Sequence, residues 1–296
     1  MALVTSRGAT TLLTGLVDYA GLFPPAELGM GSAVAEYAGQ LRSPERWMLG
    51  RFVLPHSRLL EFEAAKGALG GGPPWGLSVL LGPDPGKDAG ELAAFNERHN
   101  GRASADTVEV KAKTARDIDG ILRTLPSTLT IYVEVPLGRE LPSLLEALKR
   151  RGARAKVRTG GVTQEAIPAP AEVAAFLLAA ARAGVAFKAT AGLHHPVRSV
   201  QALTYAKNSP RATMHGFLNV FGAAALAFAG AGLADIEEVL LEEDKGAFSL
   251  EGDGLRIGRH RISGASLASA RRGFACGFGS CSFAEPVSEL GGMGIV

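Results

Sequence analysis

Lysine is the residue type whose placement in this chain points most directly to chemistry. The chain has nine lysines against 22 arginines. Four of the nine fall within or just after short β-rich runs, at Lys111, Lys113, Lys156 and Lys188. A neutral lysine amine attacks carbonyl groups, and nearby cations such as Arg158 lower its pKa toward the range where it is neutral. We therefore predict an imine-forming site, with Lys188 as the preferred nucleophile and Lys156 as the other candidate.

The remaining polar residues of these runs alternate with apolar ones. In a barrel strand, successive side chains point in turn to the interior and to the surrounding helices. With the apolar residues outward, the inward set is Glu109, Lys111, Lys113, Tyr132, Glu134, Lys156, Arg158, Lys188 and Thr190. An ion-pair lattice that only fills the barrel is the alternative explanation. Because burying charge without a functional need is costly, we favour a catalytic site.

Roles follow from the chemistry of each side chain. Glu134 or Tyr132 would move the substrate proton, and Arg158 with the amides of Gly160 and Gly161 would hold an anionic group. The adjacent histidines after the run KATAGL would relay protons. These are His194 and His195, and the further predicted substrate contacts are Asp18, Glu109, Lys111, Thr159, Thr190 and His215. For Asp18, a catalytic carboxylate and a simple turn former both stay open.

Two other functions would use much the same residues. In a lyase or hydrolase, a divalent metal would act as a Lewis acid on an enolate or on a hydrolytic water. Its ligands would come from Glu109, Glu134, His194, His195 and His215. No HExxH or HxH spacing is present, so we predict no cofactor and keep the metal as the alternative. A non-catalytic binder of an anionic sugar-like ligand would need many of the same groups.

Repeated strand-and-helix units must position these residues. The predicted strands are 16–20, 48–54, 76–81, 106–112, 129–135, 154–159, 185–190 and 212–217. Their spacing is close to the roughly 31 residues per unit of a typical (β/α)8 barrel. We predict an α/β fold with a (β/α)8 TIM-type barrel over 1–231, including a weak seventh helix over 196–208. A C-terminal α+β extension over 232–296 would pack on it. The alternative is a doubly wound open sheet, although no GxGxxG or GxxxxGK[ST] motif follows the first strand.

Five motifs add a resemblance that spans nearly the whole chain. They resemble those of a bacterial protein family to which no activity is assigned. The motifs are DYAGLFPPA (18–26), KVRTGG (156–161), FKATAGLHHP (187–196), HGFLN (215–219) and FGSCSFAEPV (278–287).

A second similarity is to deoxyribose-phosphate aldolase. The run FKATAG around Lys188 resembles the lysine runs KTSTG and FKPAGG of that class I barrel aldolase. The resemblance implies a carbon–carbon lyase with its Schiff-base lysine on strand six and an auxiliary lysine on strand seven. Lys188 falls on strand seven. On strand six, AKVRTGG around Lys156 departs from KTSTG, which leaves the identity of the nucleophile open.

Composition limits the class of partner. A chain with 47% hydrophobic and 20% charged residues is not disordered. Its net charge of +2 gives no general affinity for nucleic acid or anionic membranes. The two cysteines, Cys276 and Cys281, are too few for a disulfide framework, and we expect them to pack as small buried residues. We expect a cytoplasmic lyase or isomerase for a small anionic carbonyl or sugar-like substrate, with homo-oligomerisation left open.

Overall fold

A closed barrel of eight parallel strands forms the centre of the structure, a computed structural model that describes residues 5–250 and 252–296. The first seven strands are β1 (Val17–Tyr19), β2 (Leu49–Pro55), β3 (Trp75–Leu80), β4 (Ala103–Lys111), β5 (Thr130–Glu134), β6 (Arg154–Arg158) and β7 (Phe187–Thr190). They neighbour one another in chain order from β1 to β7. The predicted α/β barrel of the (β/α)8 type is confirmed.

Two small antiparallel sheets lie outside the first seven strands. One pairs β8 (Ser199–Ala202) with β9 (Arg211–Met214). The other contains β10 (Phe248–Ser249), β11 (Leu255–Ile257) and β12 (His260–Ile262). Gly252, Asp253 and Gly254 lie between the antiparallel strands β10 and β11.

The eighth barrel strand is β13 (Ala275–Ser280), which pairs with β7 on one side and β1 on the other. The prediction that 212–217 forms the eighth barrel strand is therefore wrong, because the strand found there, β9, pairs with β8 outside the barrel. The division into a barrel over 1–231 and an extension over 232–296 is corrected as well, since 275–280 closes the barrel. Glycine-rich β13 has a low β propensity. Gly277 is required there because a Cβ atom would lie 2.8 Å from the Leu16 carbonyl oxygen.

Helices surround the barrel. They are α1 (Arg7–Leu13), α2 (Met30–Gln40), α3 (Leu59–Ala68), α4 (Pro85–His99), α5 (Ala115–Thr124), α6 (Leu141–Arg151), α7 (Pro170–Ala183), α8 (Phe217–Phe228), α9 (Leu233–Leu241), α10 (Gly264–Gly273) and α11 (Ala284–Gly292). Local sequence explains several boundaries. Asp84 accepts the Lys87 amide at the start of α4, and Thr114 with Asp117 forms a capping box on α5. The predicted seventh helix at 196–208 is wrong, because that segment contains β8 instead.

One segment, Gln164–Ala183, has the length and apolar composition of a membrane span. Its helical part α7 lies between β6 and β7 along the chain, and Val173, Phe176 and Leu177 are fully buried. The Phe176 ring makes an edge contact of 5.5 Å, centroid to centroid, with Phe187 of β7. The apolar face of α7 therefore packs on the barrel wall.

Candidate active site

The strand register brings four of the predicted residues into one layer of the barrel. Lys111 of β4 pairs with Glu134 of β5, and Glu134 pairs with Lys156 of β6. Lys156 in turn pairs with Lys188 of β7. Glu109 lies two residues before Lys111 and faces the same side of its strand. The alternation of apolar and polar residues thus places these side chains where the sequence predicts.

Glu109 is the centre of a buried charge network. Its Oε2 atom lies 2.7 Å from Lys156 Nζ, and its Oε1 atom lies 2.8 Å from Lys188 Nζ. The Ser78 hydroxyl donates a further hydrogen bond of 2.7 Å to Oε1. Lys188 Nζ also lies 2.5 Å from Oδ2 of Asp18, the middle residue of β1. One carboxylate therefore bridges two lysine amines on neighbouring strands.

Glu134 links the buried network to the cavity rim. Its Oε2 atom lies 2.9 Å from Lys156 Nζ, and its Oε1 atom lies 3.3 Å from the Arg158 guanidinium. Lys111 Nζ is 3.8 Å from the same Oε1 atom. The side chains of Arg158 and Lys111 are 46% and 72% exposed. Cations are thus available to an anion at the rim, whereas the lysines below are enclosed.

A cavity of about 330 Å³ opens above this network at the carboxyl ends of the strands. The sequence-predicted residues that line it are Glu109, Lys111, Glu134, Lys156, Arg158, Gly161, Lys188, Thr190 and His194. Phe23, Pro24 and Pro25 of the DYAGLFPPA motif line it as well. In barrel enzymes, active sites occupy this end of the barrel. We refer to this space as the carboxyl-end cavity.

The charges of the network differ from the sequence prediction. Burial alone lowers the pKa of Lys188, but Asp18 and Glu109 outweigh that effect and hold the pKa well above its usual value. Burial raises the pKa of Glu109, yet Lys188 and Lys156 lower it overall. The expected depression of the Lys188 pKa by Lys156 and Arg158 is therefore wrong, because carboxylates lie closer to its amine than those cations.

The two predicted histidines occupy different environments. His194 lines the carboxyl-end cavity, and burial together with His195 lowers its pKa to about 4. Its Nδ1 atom lies 3.3 Å from Ser280 Oγ and 3.5 Å from Glu285 Oε2. The His195 ring contacts the Glu289 carboxylate and does not line the cavity. A neutral His194 is thus available at the cavity wall, whereas His195 is outside it.

Three further predicted residues face away from the carboxyl-end cavity. The Tyr132 hydroxyl accepts a hydrogen bond of 3.0 Å from Arg154 near the amino end of the barrel. Buried His215 contacts the Pro168 carbonyl oxygen at 2.8 Å. Asp18 lies below Lys188 and lines a separate cavity. Tyr132 and His215 are therefore not placed to contact a ligand in this cavity, and Asp18 acts on it through Lys188.

The loops after β6 and β7 contact each other through their glycines. A Cβ atom on Gly160 would lie 2.9 Å from the Gly192 Cα atom. The buried Thr159 hydroxyl donates to the Ala191 carbonyl oxygen at 2.8 Å. Thr159 and Gly160 thus hold the two loops together, while Gly161 lines the cavity. The prediction that the Gly160 amide contacts the ligand is therefore wrong, because Gly160 packs against the backbone of Gly192.

The structure also places residues at the cavity that the sequence prediction missed. Cys281 lines the carboxyl-end cavity, and its Sγ atom lies 3.8 Å from His194 Nδ1. Tyr205 contacts the same sulfur at 3.5 Å. The signal was the motif FGSCSFAEPV, which contains both Ser280 and Cys281. The sequence pattern of β13 does not identify it as a barrel strand, so the motif alone does not place Cys281 at the cavity.

The predicted metal ligands do not form a common donor set. Glu109 and Glu134 contact lysines, and His195 contacts Glu289. Within residues 5–250 and 252–296, one group of three donors lies within 4.8 Å of one another: Asp235, Glu238 and His260. That group is outside the carboxyl-end cavity. The cavity carboxylates Glu109 and Glu134 are therefore neutralised by lysine amines.

In comparisons with known proteins, the chain matches no protein-family model, and no curated protein is detectably similar to it in sequence. The barrel fold is compatible with an enzyme such as a lyase or an isomerase. The reaction is therefore inferred from the residues of the carboxyl-end cavity alone.

Proposed function

We propose that this protein is an aldolase-like carbon–carbon lyase, or an isomerase, that acts on an anionic carbonyl or sugar-like substrate through a lysine imine. The observation that carries the proposal is the pair of buried lysines on β6 and β7 that share Glu109 beneath the carboxyl-end cavity. A cavity of about 330 Å³ is within the size range of small-molecule sites. A lysine amine that gives up its proton forms an imine with a carbonyl compound.

The contacts favour Lys156 over Lys188 as the nucleophile. Two carboxylates, Asp18 and Glu109, raise the pKa of Lys188 and keep its amine charged. Lys156 also contacts Glu109, but its second carboxylate is Glu134, whose side chain lines the cavity and can accept a proton from the amine at 2.9 Å. We therefore assign attack to Lys156 and the role of fixed positive charge to Lys188.

Substrate binding would make Glu134 a better base. Burial raises the pKa of Glu134, but Lys156, Arg158 and Lys111 together lower it. An anionic substrate group bound by Arg158 and Lys111 would neutralise two of those three cations. The pKa of Glu134 would then rise, so that proton transfer from Lys156 to Glu134 is favoured only when a substrate is present.

The proposed reaction follows from these positions. The neutral Lys156 nitrogen forms a bond to the carbonyl carbon, and a proton passes from that nitrogen to the carbonyl oxygen to give a carbinolamine. Glu134 then gives its proton to the carbinolamine hydroxyl, the carbon–oxygen bond breaks, and water leaves to form an iminium ion. In a lyase, the iminium accepts the electron pair of the adjacent C–C bond, while the hydroxyl on the far carbon gives its proton to the Glu134 carboxylate and that carbon leaves as a carbonyl product. In an isomerase, the iminium accepts the electron pair of an adjacent C–H bond, whose proton passes to Glu134. Protonation at carbon and hydrolysis by water then release the product and restore the amine.

Borohydride trapping tests this proposal directly. The protein is incubated with carboxylate- and phosphate-bearing aldehydes and ketones, reduced, and mapped by peptide mass spectrometry. We expect a secondary-amine adduct on Lys156 that disappears in Lys156→Met and persists in Lys149→Met, since Lys149 is an exposed lysine on α6. An adduct on Lys188 alone would contradict the assigned nucleophile. The absence of adducts on both residues would contradict imine chemistry.

Glu134→Gln distinguishes an enzyme from a binder of the same ligand. In an enzyme, we expect adduct formation on Lys156 to slow by roughly 10²-fold or more, because a positioned acid–base group is removed. A non-catalytic binder would show little change in ligand affinity and no adduct. Rapid quenching with borohydride measures the rate, and titration calorimetry measures the affinity.

A further inference from the structure

A second cavity of about 430 Å³ opens at the amino-terminal end of the barrel. Thr130 and Arg154, the first residues of β5 and β6, line this cavity. Lys188 lines both this cavity and the carboxyl-end cavity, so its side chain lies between them. We call the second space the amino-terminal cleft.

Arginines dominate the amino-terminal cleft. Arg51, Arg154, Arg271 and Arg272 all line it. Arg51 is neutralised by Asp106 at 2.5 Å, and Lys188 is neutralised by Asp18 and Glu109. Among residues 5–250 and 252–296, no carboxylate lies within 4.0 Å of the other three arginines. The cleft therefore carries a positive charge that the described part of the protein leaves uncompensated.

Two of these three arginines are held in place by neutral groups. Arg154 donates to the Tyr132 hydroxyl at 3.0 Å and to Cys276 Sγ at 3.6 Å. Arg271 donates to the carbonyl oxygens of Ala275 and Thr14. Its buried Nε–H has no hydrogen-bond partner among the described residues. These guanidinium groups are positioned before any ligand arrives, which lowers the entropic cost of binding.

Arg272 differs from the other two because it is exposed and has no structural contact of this kind. Its guanidinium makes no hydrogen bond within the part of the chain that the structure describes, yet it borders the cleft. A role in holding the barrel together therefore accounts for Arg271 but leaves Arg272 unexplained. An anionic ligand would bind Arg272 and Arg154 together.

We propose that the amino-terminal cleft is a binding site for a phosphate-bearing small molecule, separate from the carboxyl-end cavity. Guanidinium groups bind phosphate oxygens through paired N–H donors, and the hydroxyl of Tyr132, which accepts from Arg154, has its own hydrogen to donate. The one carboxylate that lines the cleft, Asp18, is already engaged by Lys188. A lining of donors with unpaired positive charge suits a multiply charged oxyanion. This proposal does not depend on the imine chemistry.

Titration calorimetry with pyrophosphate and inorganic phosphate, at ionic strength matched with chloride, tests the site. We expect the wild-type protein to bind pyrophosphate and Arg272→Ala to weaken binding at least tenfold, with a larger loss in Arg154→Gln/Arg272→Ala. Arg123→Ala, at an exposed arginine of α5, is the matched control and should bind as wild type does. The absence of binding beyond the chloride control would overturn the proposal.

The rim cations of the carboxyl-end cavity provide the second control. Lys111→Ala/Arg158→Ala should leave pyrophosphate binding at the amino-terminal cleft unchanged. If the binding is lost in this variant and retained in Arg272→Ala, the anion occupies the other cavity and the proposal is wrong.

The two cysteines allow a test on the unmodified protein. Cys276 lines the amino-terminal cleft, and Cys281 lines the carboxyl-end cavity. Alkylation by iodoacetamide, followed at each site by peptide mass spectrometry, reports which cavity is occupied. We expect pyrophosphate to slow the labelling of Cys276 severalfold relative to Cys281. Equal slowing at both cysteines, or slowing of Cys281 alone, would contradict the assignment of the site.

Discussion

At the scale of single residues, the charge state of the interior depends on Glu109. Its two oxygens contact different lysines, and it is almost completely buried with them. Each ammonium would be very unfavourable in this environment without a neighbouring carboxylate. The same contact that makes burial tolerable also holds Lys188 in its charged form. The buried ion pairs and the proposed catalytic site therefore consist of the same residues.

Glu109→Gln should destabilise the protein by about 3–5 kcal/mol, the usual effect of leaving a buried charge without its partner. The amide preserves the shape of the side chain, so the decrease in the free energy of unfolding measures the effect of removing the negative charge. The matched control is Glu146→Gln, because Glu146 is exposed on α6 and pairs with Arg150 one helical turn away. That variant should change stability by less than about 1 kcal/mol. Urea unfolding measures both, and equal effects would contradict the central role of Glu109.

His194 should make the protein sensitive to mild acid. Its pKa is lowered to about 4 in the folded protein, from an ordinary value near 6.5. The unfolded chain therefore takes up a proton as the pH falls below about 6.5, while the folded protein does not. The resulting loss of stability between pH 7 and pH 5 is about 2 kcal/mol. Urea unfolding at pH 7 and pH 5 should show that His194→Gln lacks this loss of stability. A loss as large as that of the wild-type protein would contradict the role of His194.

At the scale of elements, the contact between the loops after β6 and β7 positions the cavity. Thr159 donates across this contact, and Gly160 approaches Gly192 without room for a side chain. Lys156 and Lys188 lie two residues before the ends of these two strands. Lys156 and Lys188 are register partners, and the loop contact lies directly beyond them at the cavity.

Gly160→Ala should destabilise the protein by about 1–3 kcal/mol, because the added methyl group meets backbone that cannot move freely. Gly120→Ala is the matched control, since a Cβ atom at Gly120 in α5 meets nothing within 4 Å. That change should be neutral or stabilising by up to about 1 kcal/mol. Thermal unfolding compares the two. A stable Gly160→Ala protein would show that the loops separate at little energetic cost.

At the scale of the whole molecule, the barrel closes through the end of the chain. Residues 191–274 lie between β7 and β13, and they contain both small sheets and the helices α8, α9 and α10. Only then does β13 pair with β7 and β1. The carboxyl-end cavity depends on that closure, because β13 ends at Ser280, the partner of His194, and Cys281 follows directly.

A chain truncated after residue 231 should not fold cooperatively. Without β13, both β1 and β7 lose a neighbour, and their edges are left with unpaired backbone groups in what was the barrel wall. We expect no cooperative urea transition and a loss of near-ultraviolet circular dichroism relative to the full chain. A cooperative transition in the truncated chain would show that the barrel closes without β13.

The sequence by itself determined the barrel class, seven of its strands and the inward direction of the charged residues. The strand period of two can be read in any short window of the chain. The spacing of the strand-and-helix units can be read along its length without knowledge of the folded contacts. Glu109, Lys156 and Lys188 could be predicted together because each lies on a strand with clear apolar alternation.

The folded structure is needed to show which strand closes the barrel and which carboxylate pairs with each buried lysine. Gly277 of β13 leaves room for the carbonyl oxygen of Leu16, the residue just before β1, and no local pattern records that contact. The pKa of Lys188 depends on Asp18, which is 170 residues away in the chain and 2.5 Å away in space. Electrostatic interactions depend on distances between atoms, and folding sets those distances.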